Sequence, residues 1–370
     1  MNKKILILTA NFGAGHNSVA RAIKRQIEES YPNYEISIYD FMDIIVPKLN
    51  KPMVKYYEIQ TKHLPLIYNT YYYSRKIMDS KYSAPNIMRL KRMEEFLERE
   101  NPSLIISTFP HASGCVNKIK EYTLSNVPLI TVITDVVDSN EWIHKNTDMY
   151  FVPSQSIKNK LIKKNIPQSR IKVTGVPVDK NFLVSNKNSN NKTSNNKTKK
   201  LLIMGGGRGL FDVSDSFFYW LDDFINKSNN KIEATIITGT NKSLYTKLTF
   251  KKPLKNISVY GFINDMPSIV KEHNFVITKA GGATLFESIN CGLPVIIKKP
   301  NIGQEIENAK FISNANIGLI YSNEKELKKI INNMESDISI KNLDSIMKNI
   351  NEFKKEIHPQ NICNYIKEVI

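Results

Sequence analysis

The sequence predicts an α/β protein made of two doubly wound domains with a cleft between them. Short apolar segments alternate with amphipathic segments along most of the chain, which is typical of parallel sheets covered by helices. A polar stretch of low complexity interrupts this alternation near the middle of the chain. With 370 residues, of which 41% are hydrophobic, the chain is large enough for two cores.

The first domain is predicted to span residues 1–184. Strands are predicted over 4–9, 35–40, 104–108, 129–134, 149–152 and 171–174, and helices over 17–30, 87–100, 112–122 and 156–164. Residues 185–199 consist largely of Asn, Lys, Ser and Thr and cannot pack in a core, so we interpret them as an interdomain linker.

The alternation resumes in a second domain, predicted over residues 200–355. Its strands are predicted over 200–204, 234–238, 257–260, 275–278, 294–297 and 318–321, and its helices over 213–227, 266–271, 283–290, 305–313, 325–333 and 340–355. A last helix is predicted over 360–370. Residues 356–370 are assigned to neither domain and could pack back on the first.

Composition limits the classes of partner and compartment. The formal net charge of +17 predicts attraction to a polyanion, such as nucleic acid, an anionic lipid surface or a phosphorylated ligand. A general enrichment in Lys and Asn from AT-rich coding explains the charge equally well. The three cysteines have no metal-binding or disulfide spacing, which suits a reducing compartment. No apolar stretch approaches the roughly 20 residues that span a bilayer, so a soluble or peripheral protein is expected.

A glycine-rich turn follows the first predicted strand and leads into the first helix. Gly13 and Gly15 fit the dinucleotide-binding fingerprint, but Ser18 stands at its third glycine position. Asp40 ends the second strand, where a ribose-binding acid would lie, so a dinucleotide-dependent oxidoreductase is one alternative. His16 lies at a helix N-terminus, where the helix dipole lowers the pKa of an imidazole. A neutral His16 could act as a general base, and a capping or packing histidine is the alternative.

Two turns in the second domain are suited to a diphosphate. Gly206, Gly207 and Arg208 lie in a run of four glycines and one arginine after the first strand of this domain. The run lacks the Lys-Ser/Thr ending of a P-loop, and a flexible hinge loop is the alternative. Gly281 and Gly282 follow a later strand and open a helix, an arrangement that presents backbone N–H groups to a phosphate.

Polar residues near the second of these turns predict a nucleotide-sugar site. Glu287 lies about one turn into the helix, where a carboxylate can reach a ribose diol. Gln304, Glu305 and Asn308 offer donors and acceptors suited to sugar hydroxyls. The segment 261–266 could hold a nucleobase edge, although an ordinary helix cap explains its polar residues equally well.

The segment 48–92 breaks the strand–helix alternation. It contains ten Lys or Arg, seven Tyr and only two acidic residues. Basic residues with interfacial aromatics suit an anionic membrane surface. Single-stranded nucleic acid or an ordinary solvated helical insertion are the alternatives. The residues assigned to the acceptor or the membrane are Phe12, Gly15, Lys55, Tyr56, Tyr71, Tyr72 and Arg75.

Asp135 and Asp138 follow the strand predicted over 129–134. Carboxylates at strand ends could orient an acceptor hydroxyl or a catalytic imidazole, while loop capping is the alternative. The sequence contains no convincing cluster of His, Cys and Asp for a metal.

In their order and spacing, these motifs resemble the monogalactosyldiacylglycerol synthase and bacterial diacylglycerol glucosyltransferase family, which is related to the peptidoglycan lipid II N-acetylglucosaminyltransferase. The resemblance covers nearly the whole chain and rests on residues 13–16, 134–135, 142, 146–154, 173–178, 205–209, 261–266, 278–284 and 303–305. It implies the GT-B fold, two Rossmann-like domains with an interdomain cleft. The C-terminal domain would bind a nucleotide-sugar donor and the N-terminal domain a lipid acceptor.

The resemblance also implies residue roles. The roles are general base for His16, uracil contact for Phe262 and Ile263, diphosphate turn for Gly281, Gly282 and Thr284, ribose contact for Glu287, and donor-sugar contact for Gln304, Glu305 and Asn308. The segment 48–92 lies where the family carries its membrane-associating segment. In place of a histidine that the family often has after the Thr-Asp pair, this chain has Asp138-Ser139-Asn140-Glu141.

We therefore predict an inverting, metal-independent enzyme that transfers a hexose from UDP-glucose or UDP-galactose to diacylglycerol on the inner face of the cell membrane. His16, oriented by Asp135, would be the base. No cofactor and no nucleic-acid partner is expected. The alternatives are transfer of an N-acetylhexosamine to a polyprenyl-linked acceptor, a dinucleotide-dependent oxidoreductase, and a non-enzymatic binder of membranes or nucleic acid.

Overall fold

The structure, a computed structural model, describes residues 3–77, 87–183, 198–228, 232–335 and 337–370. The chain divides into two compact units. The first comprises Met1–Lys180, Asn301–Glu307 and Glu356–Ile370, and the second comprises Asn181–Pro300 and Asn308–Lys355. Most of the predicted linker over 185–199 lies outside the described residues, so that prediction stays untested.

The first unit contains a parallel six-stranded sheet. Its strands are β1 (Lys3–Thr9), β2 (Tyr34–Asp40), β3 (Leu104–Ser107), β4 (Leu129–Val132), β5 (Met149–Val152) and β6 (Ile171–Val173). They are arranged in the order β2-β1-β3-β4-β5-β6, and Ile7 of β1 lies in register with Ile106 of β3. Both faces of the sheet are covered by helices, which explains why β1 and β3–β5 are almost continuously apolar.

Within the described residues, eight α-helices lie wholly in the first unit, and α8 begins at its residue Lys180. They are α1 (Gly15–Ser30), α2 (Phe41–Ile45), α3 (Asn50–His63), α4 (Pro65–Ile77), α5 (Ile87–Glu100), α6 (Pro110–Thr123), α7 (Gln155–Lys163), α8 (Lys180–Leu183) and α16 (Ile362–Lys367). Residues Val19, Ala20, Ile23 and Ile27 of α1 are buried, the spacing of one helix face. Pro65 opens α4, since proline fits the first helical position and cannot continue the helix before it.

The second unit contains another parallel six-stranded sheet. Its strands are β7 (Lys199–Met204), β8 (Ile232–Ile237), β9 (Ile257–Tyr260), β10 (Phe275–Thr278), β11 (Val295–Lys298) and β12 (Gly318–Tyr321), in the order β12-β11-β10-β7-β8-β9. Numbered within the unit, this is the 3-2-1-4-5-6 order of the Rossmann fold. The helices around it are α9 (Asp215–Lys227), α10 (Lys242–Thr246), α11 (Met266–Glu272), α12 (Gly282–Asn290), α13 (Gly303–Asn314), α14 (Glu324–Asn332) and α15 (Asp337–Glu356).

The predicted fold class is confirmed, and each predicted strand is present with ends shifted by at most two residues. Three departures have physical causes. Five of the described helices were not predicted, because α2, α8 and α10 are only four or five residues long, and the segment 48–92, which contains α3 and α4, lacks a simple apolar period. The last helix begins at Ile362 and not at residue 360, because Pro359–Asn361 forms a 3₁₀ turn. The segment Asn301–Glu307, predicted within the second domain, groups with the first unit.

Residues 356–370 also group with the first unit. The hydroxyl of Tyr31, just after α1, donates to the carbonyl of Cys363 in α16 at 2.9 Å. Lys172 of β6 pairs with Glu368 at 2.6 Å. Among the helices in the described residues, none is both long enough and apolar enough to cross a membrane.

Candidate active site

The glycine-rich turn after β1 lies where the order of the first sheet reverses, between β1 and β3. In doubly wound sheets this switch point leaves a crevice at the carboxyl ends of the strands. Gly13 has φ +91°, a conformation that favours glycine, and the turn leads directly into α1. The sequence therefore places His16 in the first turn of α1, beside the end of β3.

His16 is held in a defined orientation. Its Nδ1 lies 2.7 Å from the carbonyl oxygen of Thr108 and 3.1 Å from the hydroxyl of Thr134. A carbonyl oxygen only accepts hydrogen bonds, so Nδ1 must carry the proton. In the neutral ring Nε2 is then the unprotonated nitrogen, which is the form a general base requires.

The electrostatic surroundings keep this ring neutral. Burial lowers the pKa of His16, and the negative charge of Asp135 and the hydrogen bond to Thr108 oppose that shift only in part. Asp135 thus acts on His16 through its charge, while Thr108 and Thr134 hold Nδ1. The sequence did not predict that Thr108 and Thr134 orient His16. The contact to Thr108 uses a backbone carbonyl, which no side-chain motif can indicate.

Asp40 has a structural role at the same turn. Its Oδ1 accepts from the backbone N–H of Met42 at 2.8 Å and so caps α2. Its Oδ2 accepts from the side-chain amide of Asn11 at 2.6 Å. A carboxylate that is used for capping and for holding the turn is poorly placed to bind a ribose, which weakens the oxidoreductase alternative.

Aromatic rings pack around the same turn. Phe12 stacks on Phe109 with ring centroids 5.6 Å apart, and the edge of His16 meets Phe109 at 5.5 Å. Phe12 also meets Tyr57 of α3 edge to face at 5.4 Å. The predicted acceptor residue Phe12 therefore links the turn of His16 to α3. Gly15 begins α1 in the same turn.

A polar cluster continues from the aromatic rings toward α4. Phe109 stacks on His111, whose Nε2 lies 3.3 Å from Nη2 of Arg75 and 3.5 Å from the hydroxyl of Tyr71. Burial and the charge of Arg75 lower the pKa of His111 to about 4. Burial raises the pKa of Glu141 to about 7, against the opposing effect of Arg75. The four polar side chains therefore share a partly desolvated environment in which the imidazole is neutral.

The predicted acceptor or membrane residues divide between two faces. Lys55 and Tyr56 are exposed on α3, and Tyr71 is half exposed on α4. Tyr72, in contrast, is buried and packs in a cluster with Tyr68 and Ile302. This buried position differs from the acceptor or membrane position predicted from the sequence, because consecutive helical residues point in directions about 100° apart, so Tyr71 and Tyr72 cannot share one face. The carboxylate of Asp138 forms ion pairs with three lysines at 3.6–3.9 Å, so it is engaged within the protein and poorly placed to bind an acceptor.

In the second unit, the glycine run after β7 forms a tight, supported turn. Gly206 and Gly209 have φ +68° and +59°. Gly209 N–H donates to the carbonyl of Gly206 at 2.9 Å, and Thr240 N–H donates to Gly207 at 3.0 Å. Gly207 is exposed and Arg208 is half exposed. The turn is thus held by the loop after β8, while Gly207 stays exposed.

The turn after β10 lies at the switch point of the second sheet, between β10 and β7. Gly281 is the N-cap of α12, which has no side-chain cap, and a Cβ at this position would meet no atom within 4 Å. Gly282 opens the helix, with Thr284 and Glu287 half-buried in its first two turns. Backbone N–H groups at an uncapped helix start are suited to phosphate oxygens.

Asn308 supports this turn from inside. Its side chain is completely buried, and its Nδ2 donates to the carbonyl of Ala280 at 2.7 Å. The expected contact from Asn308 to a donor sugar is therefore replaced by a hydrogen bond that fixes the residue before Gly281. The full burial of the side chain leaves it no surface for a sugar hydroxyl.

The segment after β9 combines exposed and capping residues. The ring of Phe262 is 63% exposed, and Ile263 is half-buried. Asp265 caps α11, where its carboxylate accepts from the N–H and the hydroxyl of Ser268. An exposed aromatic ring beside a strand end can stack on a flat ligand.

Gln304 and Glu305 lie in the segment that groups with the first unit. Gln304 accepts from the hydroxyl of Tyr68 at 2.7 Å, and its Nε2 donates to the hydroxyl of Tyr57 at 3.4 Å. The carboxylate of Glu305 is close enough to Tyr57 to influence it electrostatically. Within the described residues, no group of three or more His, Cys, Asp and Glu could hold a metal ion.

Comparison with known proteins extends over both units. Residues 16–178 match the family model for monogalactosyldiacylglycerol synthase, and residues 200–360 match that for the glycosyltransferase family 28 C-terminal domain. The chain is similar to the processive diacylglycerol beta-glucosyltransferase of Staphylococcus haemolyticus, with 30% identity over 343 residues, 90% of this chain and 85% of that protein. The enzyme of the same name from Staphylococcus epidermidis is 30% identical over 341 residues.

Solved structures support the same fold. Acinetobacter baumannii MurG matches with a TM-score of 0.62 and 13% identity, covering 99% of both chains. Staphylococcus aureus MnaA with UDP matches with a TM-score of 0.61 and 14% identity, covering 100% of this chain and 98% of that one.

Proposed function

The chain belongs to the monogalactosyldiacylglycerol synthase and diacylglycerol glucosyltransferase family of UDP-sugar-dependent GT-B enzymes, and from this premise we propose that it transfers glucose from UDP-glucose to diacylglycerol at a membrane surface. Glucose is chosen over galactose because the relatives with 30% identity are named beta-glucosyltransferases. The epimers differ at one hydroxyl, so the amide of Gln304 could pair with either.

The orientation of His16 carries this proposal. With Nδ1–H donated to the Thr108 carbonyl at 2.7 Å, Nε2 is the nitrogen available to the acceptor. The acceptor hydroxyl oxygen attacks the anomeric carbon as its proton passes to Nε2, and the bond from that carbon to the diphosphate breaks. A single displacement of this kind inverts the configuration of the sugar. Asp135 stabilises the imidazolium that forms, since its negative charge favours the protonated ring and opposes the lowering of the His16 pKa by burial.

The departing diphosphate would be stabilised by backbone dipoles. We assign this role to the N-terminus of α12 at Gly281 and Gly282, with Thr284, and to the turn of Gly206, Gly207 and Arg208. An arginine adds a charge-assisted hydrogen bond to a phosphate oxygen. In this proposal these groups supply the stabilisation without a metal ion.

The remaining donor contacts follow from side-chain chemistry. Phe262 and Ile263 would hold the uracil and Glu287 the ribose diol, since a carboxylate accepts from two neighbouring hydroxyls. Gln304 and Glu305 would contact the hexose. Asn308 supports the diphosphate turn through Ala280 and does not touch the sugar in this proposal.

The outer surface of α3 and α4 is proposed to bind an anionic bilayer on the cytoplasmic side. Large apolar side chains are exposed along α3 and at its junction with α4, namely Leu49, Met53, Tyr56, Ile59, Leu64, Leu66 and Ile67. Lys51 and Lys55 are exposed one turn apart on α3. Each basic side chain near an anionic surface contributes about 1 kcal/mol, and apolar side chains add insertion into the headgroup region.

The membrane proposal is tested by sedimentation with vesicles containing phosphatidylglycerol. Leu66→Glu places a charge at a side chain that is 81% exposed in the first turn of α4, and the expected result is at least about tenfold weaker binding. Phe250→Glu makes the same kind of change at a side chain that is 72% exposed on the second unit and should bind like the wild type. Equal binding of both variants would contradict the proposed surface.

The substrates are tested by incubating the protein with diacylglycerol vesicles and each of labelled UDP-glucose, UDP-galactose and UDP-N-acetylglucosamine, followed by lipid chromatography. The expected product is a glucosylated diacylglycerol. Label appearing only in a polyprenyl-linked acceptor, supplied in a parallel reaction, would replace the proposal with N-acetylhexosamine transfer.

A further inference from the structure

The segment Asn301–Glu307 is bound by the helices α3 and α4. Asn69 of α4 makes two hydrogen bonds to its backbone, since Nδ2 donates to the carbonyl of Asn301 at 2.7 Å and Oδ1 accepts from the N–H of Gly303 at 2.8 Å. One amide side chain thus satisfies a donor and an acceptor of the segment, as a neighbouring strand would. Lys76 of α4 pairs with Glu307 at 3.3 Å at the other end.

A close contact between a ring and the backbone fixes the middle of the segment. A Cβ on Gly303 would lie 2.4 Å from Cγ and Cδ1 of Tyr72, so only glycine lets the ring lie on the chain here. Tyr72, Tyr68 and Ile302 form a small buried cluster against which Tyr57 packs. The segment is therefore held by polar and apolar contacts to the same two helices.

The amide of Gln304 is held at both of its atoms. Oε1 accepts from the Tyr68 hydroxyl at 2.7 Å, and Nε2 donates to the Tyr57 hydroxyl at 3.4 Å. Burial raises the pKa of Tyr57 to about 12 and raises that of Tyr68 further, so both phenols stay protonated near neutral pH. An amide has a second N–H and a second lone pair, and these remaining directions are fixed by the two tyrosines.

We propose that Tyr57 and Tyr68 are positioning residues that orient the Gln304 amide toward the donor sugar. The inference rests on the proposed function, in which Gln304 contacts the hexose of UDP-glucose. With both hydroxyls present, the Gln304 amide is bonded at each of its two polar atoms and its plane is held, so its remaining N–H and lone pair meet a sugar hydroxyl in set directions. Without the Tyr68 hydroxyl, the amide can rotate and loses part of its contribution to sugar binding.

The test compares the affinities of UDP-glucose and UDP, measured by calorimetry without an acceptor. The dissociation constant of UDP divided by that of UDP-glucose isolates the contribution of the sugar from that of the nucleotide. Tyr68→Phe removes only the hydroxyl and is expected to reduce this ratio by about threefold to tenfold, the range for one hydrogen bond. The affinity for UDP itself should stay within about twofold. Tyr73→Phe, on the same helix, is the matched control and should leave the ratio unchanged.

A double-mutant cycle separates positioning from a general structural effect. If Tyr68 acts through Gln304, Tyr68→Phe should add nothing to the change caused by Gln304→Ala. Additive effects, or an unchanged ratio in Tyr68→Phe, would overturn the positioning role while the proposed function stands. If the wild-type protein binds UDP and UDP-glucose with equal affinity, both the sugar contact of Gln304 and its positioning are refuted. Wild-type protein that binds neither ligand would refute the proposed function.

Discussion

The support beneath the glycine turn after β7 makes Gly209→Ala a severe substitution. Gly209 has φ +59°, and a Cβ added there would lie 1.8 Å from the carbonyl oxygen of Thr238 and 2.9 Å from Cβ of Asn241. The obstructing oxygen belongs to the backbone, so the turn can relieve the clash only by moving. Such a movement would break the hydrogen bond that Asn241 Nδ2 donates to the Gly209 carbonyl at 3.0 Å.

The expected cost in unfolding free energy is the sum of two effects. A non-glycine residue in the left-handed region costs roughly 1–2 kcal/mol. Displacing the turn costs a further 1–3 kcal/mol or so, through hydrogen bonds that are lost or lengthened between the two loops. Gly209→Ala should therefore destabilise the second unit by about 2–5 kcal/mol.

Gly292→Ala is the matched control, because Gly292 has φ +68° and a Cβ there would meet no atom within 4 Å. It should cost only the backbone term, roughly 1–2 kcal/mol. The measurement is the denaturant dependence of hydrogen exchange in β7 and β8, which reports on the second unit separately. Equal destabilisation by the two variants would refute the claim that contact with Thr238 holds the turn.

Two further predictions concern pH. Burial lowers the pKa of His16, so the acid limb of kcat/KM for glucosyl transfer should have its midpoint below 6.5, and a midpoint above that value would contradict the buried neutral base. His144 is 3% exposed and burial lowers its pKa to about 4, so it favours folding while neutral and this stability is lost as pH falls from 6.5 toward 4. Across that pH range the loss of unfolding free energy approaches roughly 3 kcal/mol. In His144→Asn the midpoint of urea unfolding should therefore fall less steeply as the pH is lowered. A fall as steep as in the wild type would show that His144 is not the titrating group.

The sequence was informative wherever function depends on residues close together in the chain. The glycines after β1, β7 and β10 could be read as ligand-binding turns, because short apolar runs followed by glycine and a helix define strand ends. Both switch points are occupied by turns predicted in this way. The N-cap position of Gly281 and the first-turn position of His16 follow from such local patterns.

Contacts distant in sequence could not be predicted. Tyr68 and Gln304 are 236 residues apart, and no local pattern links them. Tyr71 and Tyr72 were both assigned to the acceptor or the membrane, whereas the spacing of Tyr68 and Tyr72, four residues apart, would have indicated a shared helix face. The burial of Asn308 likewise depends on the packing of α13 against the turn after β10, which polarity alone cannot reveal.

The central claim, that the chain is a glucosyltransferase with His16 as its base, is tested most directly with His16→Ala. Transfer of labelled glucose from UDP-glucose to diacylglycerol vesicles should fall by roughly a hundredfold to ten-thousandfold, the usual contribution of a general base. The affinity for UDP should stay within about twofold of the wild-type value, because the proposed nucleotide contacts are made by other residues. Transfer that persists within about tenfold of wild type, or UDP binding lost in parallel with transfer, would contradict the assigned role.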